Sequence, residues 1–470
     1  MNGYNKYKRD LTGQAEITED ECNGGLLDTG VNITHLGGES TVTGSCHLLQ
    51  ARGLNILVDC GMAQGDDAVL PMETWPLQPS EVDYLFLTHA HIDHMGRVPE
   101  LVRRGFRGEI LTTHATKVIL GPMFEDALGF QDLKEKEAES LLKEVDRLSW
   151  GFEYHEAFDL EKGVRFRLGR AGHILGACWI RFDIPFEGSV VFSGDLGAKH
   201  TPILCDPDIP EECDLLILES TYGNRLHGDR QDRTHRLGEV LTWALKDQGK
   251  VLVPAFALGR TQELIYEMDR LFLHPPFEIQ NPGRKIPVFI DSPLGLEITK
   301  IYKRLSEYWD REARDLLKEG DHPIDFDHLY AVRNHQDHLK LCDVDGPVII
   351  LAGSGMCSGG RIVEHLKRGL EDRRNDVLFV GYQARGTPGR DILRYSRRPG
   401  GYVILGGEMF KIRAKVHNVT GYSAHADQRG LIEWVGSMPE KPRKIKLVHG
   451  EANARKALGK VLLERGYDVQ

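Results

Sequence analysis

The most constraining feature of the sequence is an apolar segment, residues 82–87, that ends in a turn crowded with side chains able to bind metal. These side chains are His89, His91, Asp93 and His94. A hydrophobic core cannot satisfy all of them, because a buried polar group needs a partner. Alternate residues of a strand-end loop point the same way, so His89 and His91 can bind one ion while Asp93 and His94 turn towards a second. A histidine-rich surface turn is the alternative, but imidazoles at this spacing are typical of zinc sites, so we expect two adjacent metal ions.

Length and composition set limits on the class of protein. The 470 residues, 41% of them hydrophobic, are enough for two domains with buried cores. The formal net charge of −11 means that any nucleic acid must be held by a local basic surface. Eight cysteines without a Cys-x-x-Cys pair favour isolated thiols in a reducing compartment. Residues 1–30 contain no apolar signal segment and no later stretch approaches a membrane span, so we expect a cytoplasmic protein with no membrane partner.

The order of apolar segments predicts two kinds of structure. After a polar N-terminal extension, residues 31–61 alternate strands and turns, which predicts an antiparallel β opening. Helices are expected at 97–105 and 134–148. From Gly249 strands and helices alternate, which predicts a parallel sheet. Its strands are expected at 250–256, 287–290, 347–352 and 377–383, and its helices at 261–272, 294–308 and 361–370.

Three further candidate ligands share one setting, because each follows an apolar strand and stands close to glycine. They are His173, Asp195 and His449. Glycine allows the backbone to approach an ion closely. Taken alone, each would more simply be a loop residue, but beside the histidine-rich turn each is expected to bind metal. His335 and His338 lack this setting and are expected to be surface or structural residues.

Two more carboxylates end buried-looking strands. Asp59 follows residues 55–58, where it would either cap the turn at Gly61 or steer the metal-binding histidines, and the spacing slightly favours the cap. Glu219 ends the apolar segment 215–218, and the residues alone leave its role open.

A glycine-rich loop at residues 351–361 runs from a strand into a helix N-terminus, a geometry that attracts phosphate. Ser354, Ser358 and Arg361 are its candidate phosphate contacts, and Arg260 stands at a second strand-to-helix junction. The alternative is that the glycines serve tight packing. Residues 361–398 hold ten Lys and Arg against five Asp and Glu, which favours contact with a polyanion.

These residues, in this order, resemble the metallo-β-lactamase superfamily. Within it they resemble the β-CASP nucleases, which include the nuclease subunit of the pre-mRNA cleavage and polyadenylation machinery and its bacterial and archaeal relatives. The motifs that carry the resemblance are Asp59, the 89–94 motif, His173, Asp195, Glu219, His425 and His449. The resemblance implies an α/β fold, an αββα sandwich with an inserted α/β β-CASP domain. It places the extension at 1–30, the sandwich at 31–222 and 411–470, and the insert at 223–410.

The resemblance also implies roles for the site residues. His89, His91 and His173 would bind one zinc ion, Asp93, His94 and His449 a second, and Asp195 would bridge the two; manganese is the other candidate metal. Asp59 would orient a histidine ligand from behind. Glu219 would orient His425, which would protonate the leaving ribose oxygen, so the catalytic set is Asp93, Asp195, Glu219 and His425.

The implied activity is a metal-dependent ribonuclease that hydrolyses single-stranded RNA through a hydroxide activated by the dinuclear metal centre, in RNA processing or decay. In the family, a histidine at the position of His449 accompanies RNA substrates. Two alternatives stay open: a DNA nuclease or other hydrolase on the same scaffold, and a catalytically silent RNA-binding protein. The sequence does not distinguish endonuclease from 5′ exonuclease action. A homodimer is the assembly considered.

Overall fold

The structure is a computed structural model that describes residues 30–129, 133–227, 231–273, 286–419 and 421–470. Apart from Gly30, the predicted N-terminal extension lies outside the described residues. Its role therefore stays a prediction.

The first sheet contains six strands in chain order, and its first three are antiparallel, as predicted. Arg52 and Gly53 connect β2 to β3 with φ angles of 52° and 69°, the left-handed geometry of a tight hairpin turn. From β3 onward the strands are parallel. The strands are β1 (Asn32–Gly37), β2 (Cys46–Ala51), β3 (Leu54–Val58), β4 (Tyr84–Phe86), β5 (Glu109–Thr113) and β6 (Ser149–Phe152).

The second sheet has the strand order β20-β11-β10-β9-β8-β7, so a strand near the C-terminus joins strands from the first half of the chain. β10, β11 and β20 are parallel to one another. The strands are β7 (Ala157–Asp159), β8 (Arg165–Arg170), β9 (Cys178–Ile184), β10 (Gly188–Phe192), β11 (Leu215–Glu219) and β20 (Lys444–Val448).

The two sheets pack face to face around an aromatic core. The Phe86 ring lies 4.9 Å from that of Phe166 and 4.8 Å from that of Phe182, both edge-on. Successive side chains of β3 point to opposite faces of the first sheet. Ile56 packs into the core between the sheets, whereas Leu57 packs against the helices on the outer face. Burial of each such side chain contributes about 1.5–3 kcal/mol.

Helices cover the outer faces, which completes the predicted αββα sandwich. The predicted helices at 97–105 and 134–148 are confirmed as α2 and α4. The helices of this part are α1 (Ile92–Met95), α2 (Val98–Arg103), α3 (His114–Leu128), α4 (Glu135–Leu148), α12 (Gln428–Gly436) and α13 (Ala452–Glu464).

The third sheet and its helices form what we call the inserted unit. The strand order is β14-β13-β15-β12-β16-β19, and every pairing is parallel, which confirms the βαβ prediction. Its strands are β12 (Lys250–Pro254), β13 (Val288–Asp291), β14 (Leu329–Ala331), β15 (Val348–Ala352), β16 (Asp376–Phe379) and β19 (Lys415–Asn418). A hairpin of β17 (Tyr402–Leu405) and β18 (Glu408–Lys411) stands beside it.

The helices predicted at 261–272, 294–308 and 361–370 are confirmed, although the second ends at Arg304, and the other helices that flank this sheet were not predicted. The helices of this unit are α5 (Gln231–Lys246), α6 (Arg260–Leu273), α7 (Pro293–Arg304), α8 (Arg311–Lys318), α9 (His335–Asp343), α10 (Arg361–Gly369) and α11 (Pro388–Tyr395). The domain limits remain predictions, and because β19 belongs to the third sheet we propose to end the inserted unit after Asn418 rather than at 410. Among the described residues, no helix has the length and apolar character to cross a membrane.

Candidate metal centre

The predicted metal ligands meet where parallel strands of both sheets end. The 89–94 turn follows β4 of the first sheet, while Asp195 and His449 follow β10 and β20 of the second. Ligands of α/β proteins commonly bind at the carboxyl ends of parallel strands. We call the seven side chains gathered here the strand-end cluster: His89, His91, Asp93, His94, His173, Asp195 and His449.

Two local features bring the loops this close. A Cβ built on Gly61 would lie 1.6 Å from the Asp93 carbonyl oxygen, so only glycine after β3 lets the histidine-rich turn pack there. The turn after β10 is held on the His173 loop, because the Gly197 amide donates to the Ala171 carbonyl at 2.7 Å.

The first half of the strand-end cluster consists of three imidazoles and one carboxylate. His91 Nδ1 lies 3.1 Å from His89 Nε2 and 3.2 Å from His173 Nε2. Asp195 Oδ2 lies 3.6 Å from His89 Nε2 and 3.5 Å from His173 Nε2. Burial lowers the pKa of all three imidazoles, that of His91 to about 4, so the rings are neutral at pH 7 and have lone pairs to offer.

The second half shares the same carboxylate. His94 Nε2 and His449 Nε2 are 3.1 Å apart, and Asp93 Oδ2 lies 3.8 Å from His449 Nε2. Asp195 Oδ2 is 3.3 Å from His94 Nε2, and its Oδ1 is 3.6 Å from His449 Nε2. Asp195 therefore faces both halves, as a bridging ligand would.

The arrangement fits two divalent cations. Within each half the possible ligand atoms all lie within 4.8 Å of one another. Facing imidazole nitrogens at 3.1–3.2 Å match the spacing of nitrogens about 2.0–2.1 Å from one zinc ion. Asp195 Oδ1 is buried without a hydrogen-bond donor, so a cation would satisfy an otherwise costly acceptor.

Asp59 orients His94 from behind. Its Oδ2 accepts from His94 Nδ1 at 2.7 Å, and its Oδ1 accepts from the Thr88 amide at 2.8 Å. The cap that spacing slightly favoured is therefore not the role seen, because the carboxylate turns towards the next strand. Burial opposes a charged His94 ring, but the Asp195 and Asp59 carboxylates outweigh it and raise the pKa of His94 well above its usual value, so a cation that binds Nε2 would displace a proton there.

Thr221 orients the ring of His449, a role that the sequence analysis missed. Its hydroxyl donates to the His449 carbonyl and lies 3.0 Å from His449 Nδ1, so that nitrogen donates to the hydroxyl oxygen. Nε2 is then left free to bind metal. In the sequence, Thr221 is marked only by its position two residues after Glu219, which ends a strand. That position does not indicate a contact with His449, which lies far along the chain.

Glu219 and His425 form a pair beside the strand-end cluster. His425 Nδ1 lies 3.1 Å from Glu219 Oε1 and 3.8 Å from Asp195 Oδ2. The His425 segment reaches this place by pairing with the turn after β10, where the Ala426 amide donates to the Leu196 carbonyl at 2.7 Å. Burial opposes the charged ring, but the carboxylates of Glu219 and Asp195 outweigh it and raise the pKa of His425 to about 9.

Comparison with known proteins identifies the family. The Metallo-beta-lactamase superfamily model matches residues 41–241, the Beta-Casp domain matches 261–392, and the Zn-dependent metallo-hydrolase RNA specificity domain matches 409–470. Ribonuclease TTHA0252 of Thermus thermophilus is 38% identical over 443 residues, which cover 93% of this chain and 97% of that protein. The chain belongs to the β-CASP family of the metallo-β-lactamase superfamily.

Two other relatives of this β-CASP protein are longer than the chain. Transcription termination factor FttA of Methanosarcina mazei is 32% identical, over 91% of this chain and 68% of its own length. Cleavage and polyadenylation specificity factor 73 of Drosophila melanogaster is 30% identical over 97% of this chain, which spans 64% of that protein. The predicted family and fold class are thus confirmed.

Two predicted phosphate contacts of the β-CASP domain already have partners within the protein. Arg361 donates to Asp291 Oδ1 at 2.7 Å and to the Val332 carbonyl at 2.9 Å. Arg260 is 6% exposed and forms an ion pair with Glu263. Both guanidinium groups are therefore held by partners within the protein before any phosphate binds.

The glycine-rich loop also lies close to the metal centre, at a point away from Arg361. Ser354 Oγ accepts from the amide of the exposed Ser358 at 3.1 Å. A Cβ on Gly355 would lie 2.7 Å from the Phe256 ring, and that ring is 6.4 Å from the His91 ring. One aromatic side chain therefore separates this β-CASP loop from the strand-end cluster, and neither contact was predicted.

Proposed function

We propose that this chain is a metal-dependent ribonuclease that hydrolyses phosphodiester bonds of single-stranded RNA in RNA processing or decay. One observation carries the proposal: the seven side chains of the strand-end cluster and the Glu219–His425 pair converge at one place. The family matches support RNA as the substrate, since the RNA specificity domain model spans both His425 and His449. The relatives named as a ribonuclease and as a cleavage factor point the same way.

The metal-binding roles follow from the two halves of the strand-end cluster. His89, His91 and His173 would hold one ion, Asp93, His94 and His449 the other, and Asp195 both. We propose zinc for both positions, with manganese as the other metal that such mixed ligands accept. Bound there, two divalent cations would polarise the phosphate oxygens and lower the pKa of a water molecule.

The protein groups supply orientation and a proton. Asp59 and Thr221 fix the rings of His94 and His449 so that each keeps its Nε2 towards the metal. With Nδ1 donating to Glu219, His425 can deliver a proton to the leaving ribose oxygen from its other nitrogen. Glu219 stabilises that ring from a position that is only 1% exposed.

Differences in burial suggest the side from which RNA enters. His89, His94, His173 and Asp195 are buried, whereas the side chains of Asp93 and His425 remain 18% and 15% exposed. The scissile phosphate would therefore meet Asp93 and His425 first. Ser354 and Ser358 would hold a neighbouring phosphate, with Arg361 and Arg260 positioning the loops behind them.

Cytoplasmic location and a homodimeric assembly remain predictions that accompany this proposal. The cysteines that the structure describes are all free thiols, in keeping with the expected isolated thiols.

The proposal is tested by metal analysis together with cleavage of end-labelled single-stranded RNA and of DNA of the same sequence. Wild type is compared with His91→Ala, and His322→Ala is the matched control because His322 is exposed and outside the strand-end cluster. Metal-free protein is reloaded with zinc or manganese to identify the active metal. The lengths of the labelled products separate endonuclease from 5′ exonuclease action.

We expect metal-dependent cleavage of RNA by wild type and His322→Ala, and both less bound metal and no cleavage in His91→Ala. Cleavage of DNA alone would replace the proposal with a DNA nuclease. A full complement of metal with neither polymer cleaved would point to another substrate or to a binding role.

A further inference from the structure

A second group of side chains able to bind metal lies in the inserted unit. His338 and Cys342 are on α9 and His365 is on α10, and we call these three the helix cluster. Their exposed fractions are 3%, 4% and 3%. His338, which the sequence analysis expected to be a surface or structural residue, is thus buried beside a thiol.

The two histidines are held by one buried carboxylate. Asp291, the last residue of β13, accepts from His338 Nδ1 and from His365 Nε2, each at 2.6 Å through Oδ2. Its other oxygen accepts from Arg361. In an uncharged imidazole whose one proton points at Asp291, the other nitrogen has a lone pair.

One sulfur atom lies close to both rings. Cys342 Sγ lies 3.6 Å from His365 Nδ1, and it lies 3.8 Å from Nε2 and 4.0 Å from Nδ1 of His338, so a small turn of the His338 ring would direct its Nε2 at an ion shared with the sulfur. A thiol has one hydrogen and donates to one acceptor, so the thiol can serve only one of these two nitrogens. A cation between the three atoms would satisfy both nitrogens and the sulfur together.

The distances suit zinc. With zinc about 2.3 Å from sulfur and about 2.0–2.1 Å from each nitrogen, tetrahedral angles separate sulfur from nitrogen by about 3.5 Å. The spacing of four residues between His338 and Cys342 places both on one face of α9. A carboxylate that holds the far nitrogen of a metal-binding histidine is a common supporting partner, and here Asp291 serves two histidines.

A cavity of about 180 Å³ adjoins the helix cluster. Cys342 and His365 line it, together with Lys250, Asp343 and Arg368. Water can therefore reach a fourth coordination position from this side, so a fourth protein ligand is not needed.

We propose that the helix cluster binds a zinc ion of its own, distinct from the strand-end cluster. Zinc enters as Zn²⁺, the Cys342 thiol proton leaves to solvent, and bonds form from the thiolate sulfur, His338 Nε2 and His365 Nδ1. The ion links α9 to α10 and, through Asp291, to β13. Because Arg361 starts α10 and shares Asp291, this zinc would also fix the helix start that follows the glycine-rich loop.

A cobalt experiment isolates this site, because of the two clusters only the helix cluster contains a cysteine. Metal-free wild type is titrated with cobalt(II), and a thiolate-to-cobalt charge-transfer band is recorded in the near ultraviolet. Cys342→Ser is expected to lose the band and one zinc per chain. Cys357→Ser is the matched control, since Cys357 is equally buried in the inserted unit but outside the helix cluster, and it should keep both.

A second measurement needs no variant, in case Cys342→Ser fails to fold. Bound zinc should protect Cys342 from alkylation, as followed by peptide mass spectrometry, and a chelator should remove the protection. No cobalt band in wild type, a band that survives in Cys342→Ser, or alkylation of Cys342 unaffected by zinc would overturn the proposal. None of these readouts depends on RNA cleavage, so the helix cluster and the ribonuclease proposal stand or fall separately.

Discussion

The strand-end cluster and the helix cluster share one local arrangement, a histidine held by an aspartate. They differ in how far apart along the sequence their residues lie. In each, an aspartate holds a histidine from behind, Asp59 at 2.7 Å from His94 and Asp291 at 2.6 Å from His338. The ligands of the strand-end cluster come from separate loops, and two of them, His94 and His449, are 355 residues apart. The helix cluster is contained in α9 and α10.

This difference in sequence separation suits the two clusters to different uses of metal, the positioning of a substrate and the cross-linking of local structure. A cluster drawn from distant loops exists only once both sheets have formed, so its geometry is fixed by the whole fold and suits positioning a substrate. A cluster on two neighbouring helices closes a short loop and acts as a local cross-link. We therefore expect changes in the strand-end cluster to alter chemistry and changes in the helix cluster to alter the inserted unit.

The largest effect that would test this division is expected for Asp195→Asn. The substitution weakens the one carboxylate that faces both halves of the strand-end cluster, and loss of metal-based charge stabilisation should lower kcat/KM for RNA by about 10⁴-fold or more. The measurement is single-turnover cleavage with metal analysis. The cobalt band of the helix cluster should persist, and its disappearance in this variant would show that the two clusters are not independent.

A smaller loss of cleavage, about 10²- to 10⁴-fold, is expected for His425→Ala. In the proposed role the ring would contribute a proton and no bond to metal, so bound metal should stay at the wild-type level while kcat falls. Glu219→Gln keeps His425 in place and should lose less. Wild-type rates in His425→Ala, or a matching loss of metal, would remove His425 from the role of proton donor.

The smallest effects are expected for the two supporting aspartates, which offer a matched pair. Asp59→Asn and Asp291→Asn keep the shape of the side chain and remove the charge. Each should weaken metal binding about 10- to 100-fold at the cluster that the substituted aspartate supports. Competition with a chelator measures zinc affinity, and the cobalt band reports the helix cluster alone. If either variant weakened both clusters equally, a general loss of stability would explain the result better than local support.

Sequence reasoning found the strand-end cluster because its ligands share a local setting. The strand followed by His89-x-His91-x-Asp93-His94 is visible in one window, and His449 shows the same setting near the end of the chain. The spacing of this turn already predicted two ions, but the assignment of His173, Asp195 and His449 to them came from the resemblance to a family. Local spacing contains no information on which loops meet in space.

The contacts that sequence reasoning missed or misjudged depend on tertiary partners. Thr221 lies beside His449 only because β11 pairs with β20, and Asp59 turns towards His94 only because β3 lies beside β4. Arg361 was expected to contact phosphate because it starts a helix; its bond to the buried Asp291 was not foreseen, and the phosphate contact stays a prediction. His338 showed no strand-end setting, since its cluster is assembled on helices.

The placement of β20 next to β11 has a consequence for protein synthesis. A ribosome makes the strand and turn that contain His89 early and the strand that leads to His449 last, so a nascent chain holds most of its ligands before it can assemble the strand-end cluster. The strand-end cluster can therefore be completed only after translation has passed His449. A chain that ended before β20 would have an exposed β11 edge and would lack one side chain of the strand-end cluster.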